Sequence, residues 1–171
     1  MGLYSDLPGV IIERYSRHKG SKIYEEDQIQ KIEDAEDMSC LIGNMFNFDN
    51  KSVCYGLEGF SYASKGNSFI DLIMFNTILR YAIYKNLKPG DKFKVMTPSY
   101  IKKNAGKGNA NKNMMLSFFL DSQEVSLREN NFWKFCSAQS SSLIDKNEKV
   151  LKPIDDLVDS YFICNALKKV I

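Results

Sequence analysis

An acid that ends an apolar strand and a group of acids that opens a helix are the residues best placed to do chemistry. Glu58 closes the run Ser52-Val53-Cys54-Tyr55-Gly56-Leu57, and a carboxylate there is costly to bury unless it is paired or metal-bound. Far downstream, Asp155, Asp156 and Asp159 crowd the first turn of the last predicted helix. Asp156 and Asp159, three apart, project from one helical face. N-terminal capping and the helix dipole account for one or two of these acids, but less well for an inward-facing pair. His18 is the only histidine, and the four cysteines at 40, 54, 136 and 164 lack C-x-x-C spacing. Zinc and a Ser-His-Asp triad are therefore poorly supplied. An all-carboxylate set suits Mg²⁺ or Mn²⁺, and a carboxylate-held metal pair suits phosphodiester cleavage.

Charge is unevenly distributed around a net value of only +2. Glu25 to Asp37 holds seven acids and one lysine, whereas Lys92 to Leu120 holds six lysines and no acid. Either run can be a solvated face. Lysines interleaved with Gly and Asn also let backbone and ammonium groups approach a polyanion. Gly106-Lys107-Gly108 lacks P-loop spacing, so no nucleotide cofactor is expected. Phe60 and Tyr62 either pack in the core or stack on an unpaired base, worth roughly 1–3 kcal/mol per base. Trp133 and Phe135 read as core or loop anchors, and His18 as an exposed residue.

The elements that must position these groups alternate in type. Gly9 to Ile12 reads as a strand, with Lys22 to Tyr24 as its hairpin partner. Asp27 to Phe46 has helical spacing. Ser52 to Leu57 reads as a central strand, Ser68 to Leu87 as a strong helix stopped by Lys88-Pro89-Gly90, and Lys92 to Met96 as a strand halted by Thr97-Pro98. A Lys-, Gly- and Asn-rich loop follows, then a helix from about Lys112. Pro153 opens a last helix through Leu167. This order predicts an α/β layer fold. The 171 residues, 44% hydrophobic and 26% charged, read as one domain. No apolar run reaches the ~18 residues of a membrane span. The N-terminus lacks signal-peptide features, and the cysteines read as buried, reduced thiols of an intracellular protein.

Three segments carry a family resemblance: Leu57-Glu58-Gly59-Phe60-Ser61-Tyr62, the stretch from Thr97 to Lys112, and Asp155-Asp156-Leu157-Val158-Asp159-Ser160-Tyr161. Their order and spacing resemble RuvC-type Holliday junction resolvases, especially phage-type relatives, across roughly residues 53 to 167. The lysine-glycine stretch, P-x-x-x-K-K…G-x-G-x-A-x-K, is the most specific part. The resemblance implies an RNase H-like mixed sheet flanked by helices, and Mg²⁺- or Mn²⁺-dependent cleavage of branched double-stranded DNA by a homodimer. It makes Glu58, Asp156 and Asp159 metal ligands, with Asp155 a neighbour. It assigns Lys102, Lys103, Lys107 and Lys112 to phosphates or to upkeep of the site. Phe60, Tyr62 and Lys65, next to the strand-ending acid, are further DNA-binding candidates.

The departure lies at the start. The family's first strand ends in an aspartate, but Gly2-Leu3 and Tyr4-Ser5 have none between them, and most of that strand is missing. Asp6 is the candidate to complete the ligand set, and the first strand reads as short or truncated. Two rivals follow: a junction-binding module that has lost catalysis, and an RNase H-type nuclease acting on RNA–DNA hybrids. A two-fold dimer would match the junction's symmetry. Apolar residues wrap more of the Ser68 to Leu87 helix than one core-facing stripe requires, which makes it the expected interface, with Met74 on the outward side.

Overall fold

A computed structural model describes residues 22–45, 52–60 and 67–171. In chain order these form α1 (Tyr24–Met45), β1 (Cys54–Glu58), α2 (Asn67–Lys85), β2 (Lys92–Met96), α3 (Pro98–Ala105), α4 (Lys112–Leu120), α5 (Val125–Glu129), α6 (Asn131–Ala138) and α7 (Ile154–Lys168). The two strands pair in one sheet. The Lys92 amide donates to the Val53 carbonyl and the Gly59 amide to Met96, so both strands run the same way. Parallel neighbours need a crossover, and α2 supplies it. The described residues are thus helix-rich α/β with a small parallel sheet, and none of their helices is long and apolar enough to cross a membrane.

The chain divides into two compact units, one holding the described residues of 56–59 and 95–171, the other those of 22–55 and 60–94. In the second unit α1 packs on α2. Phe75, Leu79 and Ile83, four apart on α2, are buried, as a helix with one covered stripe requires. Ile70, Leu72, Tyr81 and Tyr84 stay exposed. Met74, expected to face outward, is half-buried.

The first unit is built around α7. Its buried stripe, Ile154, Val158, Phe162 and Ala166, meets α3 and α4, and α4 also meets α6. Phe119 is fully buried, with its ring 5.5 Å from Phe132 and 5.3 Å from Tyr161. Trp133 donates its indole N–H to the Phe119 carbonyl at 3.0 Å, anchoring α6 on α4.

Four expectations need correction. Lys22 to Tyr24 is not a strand: Ile23 accepts the Asp27 amide at 3.0 Å, and Tyr24 begins α1. The acids Glu25, Glu26 and Asp27 favour a helix N-terminus there. Thr97-Pro98 does more than halt β2. Thr97 Oγ1 accepts the Tyr100 amide and Pro98 opens α3, so half of the expected loop is helical. The short helices α5 and α6 were not anticipated, because five and eight residues carry too little periodicity. Of the cysteines only Cys136 is buried, its thiol pushed up to about 12 by burial; Cys54 is half-buried, and Cys40 and Cys164 are exposed. The expected strand Gly9 to Ile12 and His18 lie outside the described residues.

Candidate active site

β1 brings Glu58 toward α7 through a glycine. A Cβ on Gly56 would lie 3.0 Å from Leu167 Cδ2 and 3.3 Å from Ile163 Cγ2, so strand and helix approach there more closely than a side chain comfortably permits. Alternate strand residues share a face, and two residues advance about 6.6 Å along it. One helical turn advances a similar distance, about 5.4 Å. Two residues beyond Gly56 and one turn before Ile163 stand Glu58 and Asp159. Their charges interact: Asp159 raises the Glu58 pKa.

The position of each α7 acid follows from the same helix. At about 100° per residue, the buried stripe of Ile154, Val158, Phe162 and Ala166 includes position 155, borders on 159 and leaves 156 outside. Accordingly Asp155 is buried, Asp159 half-buried and Asp156 exposed. Asp155 Oδ1 accepts the Asp156 amide at 2.9 Å. The expected inward pair was Asp156 with Asp159. The structure instead has Asp155 and Asp159, four apart, sharing the ammonium of Lys112.

Lys112, at the start of α4, donates to Asp159 and lies 3.8 Å from Asp155 Oδ2. Lys152, just before α7, bonds Asp155 at 3.1 Å and also pairs with Asp156. Burial alone would lower the Lys152 pKa, but its bonds to Asp156 and Asp155 more than reverse this and raise it. For Glu58, loss of water is the first cause of a raised pKa and Asp159 the second, opposed by Lys112 and Lys102. Glu58 is exposed as a whole residue, so these charges act through partly solvated space. Lys102 is half-buried on α3, while Lys103 and Lys107 are exposed. The adjoining glycine serves packing: a Cβ on Gly106 would come 3.0 Å from the Phe118 ring.

Lys112 and Asp159 are therefore in direct contact, and Glu58 lies within electrostatic range of both and of Lys102. Asp156 turns to Lys152, and Lys103 and Lys107 face solvent. Phe60 lies under the Arg80 guanidinium, 4.1 Å from its ring centroid, so one ring face is already covered. Asp6, Tyr62 and Lys65 lie outside the described residues. Asp155 has a larger part than the sequence pattern suggested, and Lys152 was missed. The burial stripe of α7 marks position 155, and Lys152 stands three residues before Asp155 and four before Asp156.

The donors are oxygen atoms, the chemistry of a hard divalent ion rather than zinc. The ammonium of Lys112 also shows that the site stabilises a cation. Among the described residues no three acid, cysteine or histidine side chains gather closely enough to hold an ion as they stand. No family model, curated protein or solved structure matches the chain.

Proposed function

We propose that the chain is a divalent-metal-dependent endonuclease of RNase H-like fold that cuts four-way or other branched DNA. The observation that carries this reading is the convergence of β1 on α7 at Gly56, which puts Glu58 within electrostatic range of Asp159 and of Lys102, with Asp159 itself paired to Lys112. An acid at a strand end facing an acid on the last helix, with lysines from the intervening stretch, is the arrangement that the resemblance to RuvC-type resolvases calls for. Glu58 and Asp159 would hold Mg²⁺ or Mn²⁺, with Asp155 or Asp156 and Asp6 as the remaining candidates. Such an ion supplies Lewis-acid assistance to attack by water on a backbone phosphate. The protein's own part is to fix the carboxylates, through Gly56 and the buried stripe of α7, and to hold the phosphate with lysine charge. Lys103 and Lys107, exposed beside the site-facing Lys102, suit contacts along the backbone. A symmetric dimer suits paired cuts in a junction of near two-fold symmetry, and the exposed Ile70 and Tyr81 on α2 are its candidate contacts.

The test is cleavage of a synthetic four-way junction in Mg²⁺. Glu58→Gln and Asp159→Asn should each lower the rate at least ~100-fold, more than loss of a group behind a metal ligand costs, with junction affinity largely kept. Cleavage at the wild-type rate by either variant would refute the assignment. Tight junction binding by a wild-type protein that cuts nothing would instead favour the junction-binding module.

A further inference from the structure

Lys112 occupies an electrostatically unfavourable position in its own helix. It is the first residue of α4, where the positive end of the helix dipole repels a cation. No acid lies between Lys92 and Leu120 to offset it locally. Its compensation comes from α7, through the ion pair with Asp159 and the approach to Asp155 at 3.8 Å. A charge held against its helix by distant carboxylates acts as their counter-ion. The hold is not a locked one, since the Lys112 side chain is 50% exposed and its stem is flexible.

Lys112 also lines an open cleft of about 600 Å³ together with Asn111, Lys149 and Lys152. Asp145, Glu148 and Asp155 line it too. Asp145 is occupied by the turn, accepting the Asn147 and Lys149 amides at 2.8 and 2.9 Å. The ammonium thus has two alternatives within reach of one side chain: Asp159, which is not part of the cleft lining, or the cleft itself, where Asn111, Lys149 and Lys152 beside Asp155 suit a phosphate.

We propose that Lys112 is an exchangeable counter-cation of Asp159, which a divalent ion displaces into the cleft, where its ammonium becomes available to a nucleic-acid phosphate. The exchange rests on the reading of Glu58 and Asp159 as metal-binding acids and adds a residue that links the ion to the polyanion. Ion and phosphate then favour the same position of Lys112, so each strengthens binding of the other. Lys152 is the stationary counterpart, since it bridges Asp155 and Asp156 and leaves Asp159 alone.

The test is Mn²⁺ binding to the whole chain without nucleic acid, free Mn²⁺ being read from its electron paramagnetic resonance signal. Lys112→Met removes the competing charge and should tighten Mn²⁺ binding about tenfold. Lys112→Arg keeps the charge and should stay within about twofold of wild type. Asp159→Asn should bind Mn²⁺ far more weakly than wild type. If Lys112→Met binds Mn²⁺ no tighter than wild type while Asp159→Asn loses it, the exchange is wrong and the metal-binding acids stand. If Asp159→Asn binds like wild type, or no variant binds Mn²⁺, the exchange and the metal-binding reading both fail. Should Lys112→Met be unfolded in chelator, Mn²⁺ must restore its melting transition, and failure to do so also overturns the exchange.

Discussion

Helix α1 and the site at the end of β1 both concentrate carboxylates, yet they use them in opposite ways. From Glu25 to Asp37, seven acids lie on a single helix, and two of them have partners one helical turn away. Lys31 meets Asp27 at 2.7 Å four residues away, and Gln30 donates to Asp34 at 3.2 Å, again four residues away. Glu25, Glu33, Glu36 and Asp37 are exposed. Pairs of this kind contribute about 0.2–0.5 kcal/mol. At the other place only Glu58, Asp155 and Asp159 are involved, but they arrive from a strand and a distant helix and share lysines from other segments. On α1 the density of charge gives a mostly solvated face with Asp34 and Lys31 buried beneath it; at the end of β1, charges converge from separate segments.

The comparison breaks most visibly if β1 is pushed away from α7. Gly56→Val should cost about 1–3 kcal/mol of stability through overpacking against Leu167 and Ile163. By moving Glu58 away from Asp159 it should also lower junction cleavage at least ~10-fold, since small displacements of reacting groups are expensive. Urea melts together with cleavage rates check this. A variant that is destabilised but cleaves normally would show that the close approach serves packing alone.

Lysines outside the carboxylate cluster should act on affinity. Replacing Lys103 and Lys107 together with alanine should flatten the slope of log K against log salt by roughly 0.9 per lost phosphate contact. A titration of junction binding from low to moderate salt measures it, and an unchanged slope would make both lysines solvating groups like those on α1.

A smaller effect concerns pH. The folded protein raises the Glu58 pKa, first by removing water and then through Asp159. The folded state therefore favours the protonated form. That contribution is fully present below the ordinary glutamate value of about 4.3 and is lost as pH rises through the folded value. Ionised Glu58 thus costs stability at neutral pH, and Glu58→Gln should melt slightly above wild type there. The gap should close as pH falls through the carboxylate range. A melting temperature below wild type at neutral pH would mean that Lys112 and Lys102 outweigh the desolvation.

The smallest effect belongs to α1. Glu33→Gln and Asp37→Asn should leave cleavage unchanged and shift stability by less than ~0.5 kcal/mol. A clear loss of activity would remove the contrast between the two regions.

How much of this was legible in the sequence depended on the range of the interaction concerned. β2 falls on Lys92–Met96 as expected, and α7 begins directly after Pro153, because strand pattern, turn residues and a helix-opening proline are local signals. Lys22 to Tyr24 misled because three residues of β-type composition weigh less than the acidic turn that follows them. The choice between Asp155 and Asp156 was a question of angle. Spacing alone permits either to accompany Asp159, and the buried stripe of Ile154, Val158, Phe162 and Ala166 decides for Asp155. The approach of Gly56 to Ile163 and the grip of α7 on Lys112 were beyond reach, since both join segments far apart in the chain and leave no periodic trace.

The central claim is that Glu58 and Asp159 act as one unit, and a double-mutant cycle on the cleavage rate of a four-way junction tests it most directly. If they share one ion, Glu58→Gln combined with Asp159→Asn should cut no more slowly than the slower single variant, because the first loss already disables the unit. Losses that multiply in the double variant would show two independent contributions and contradict the claim.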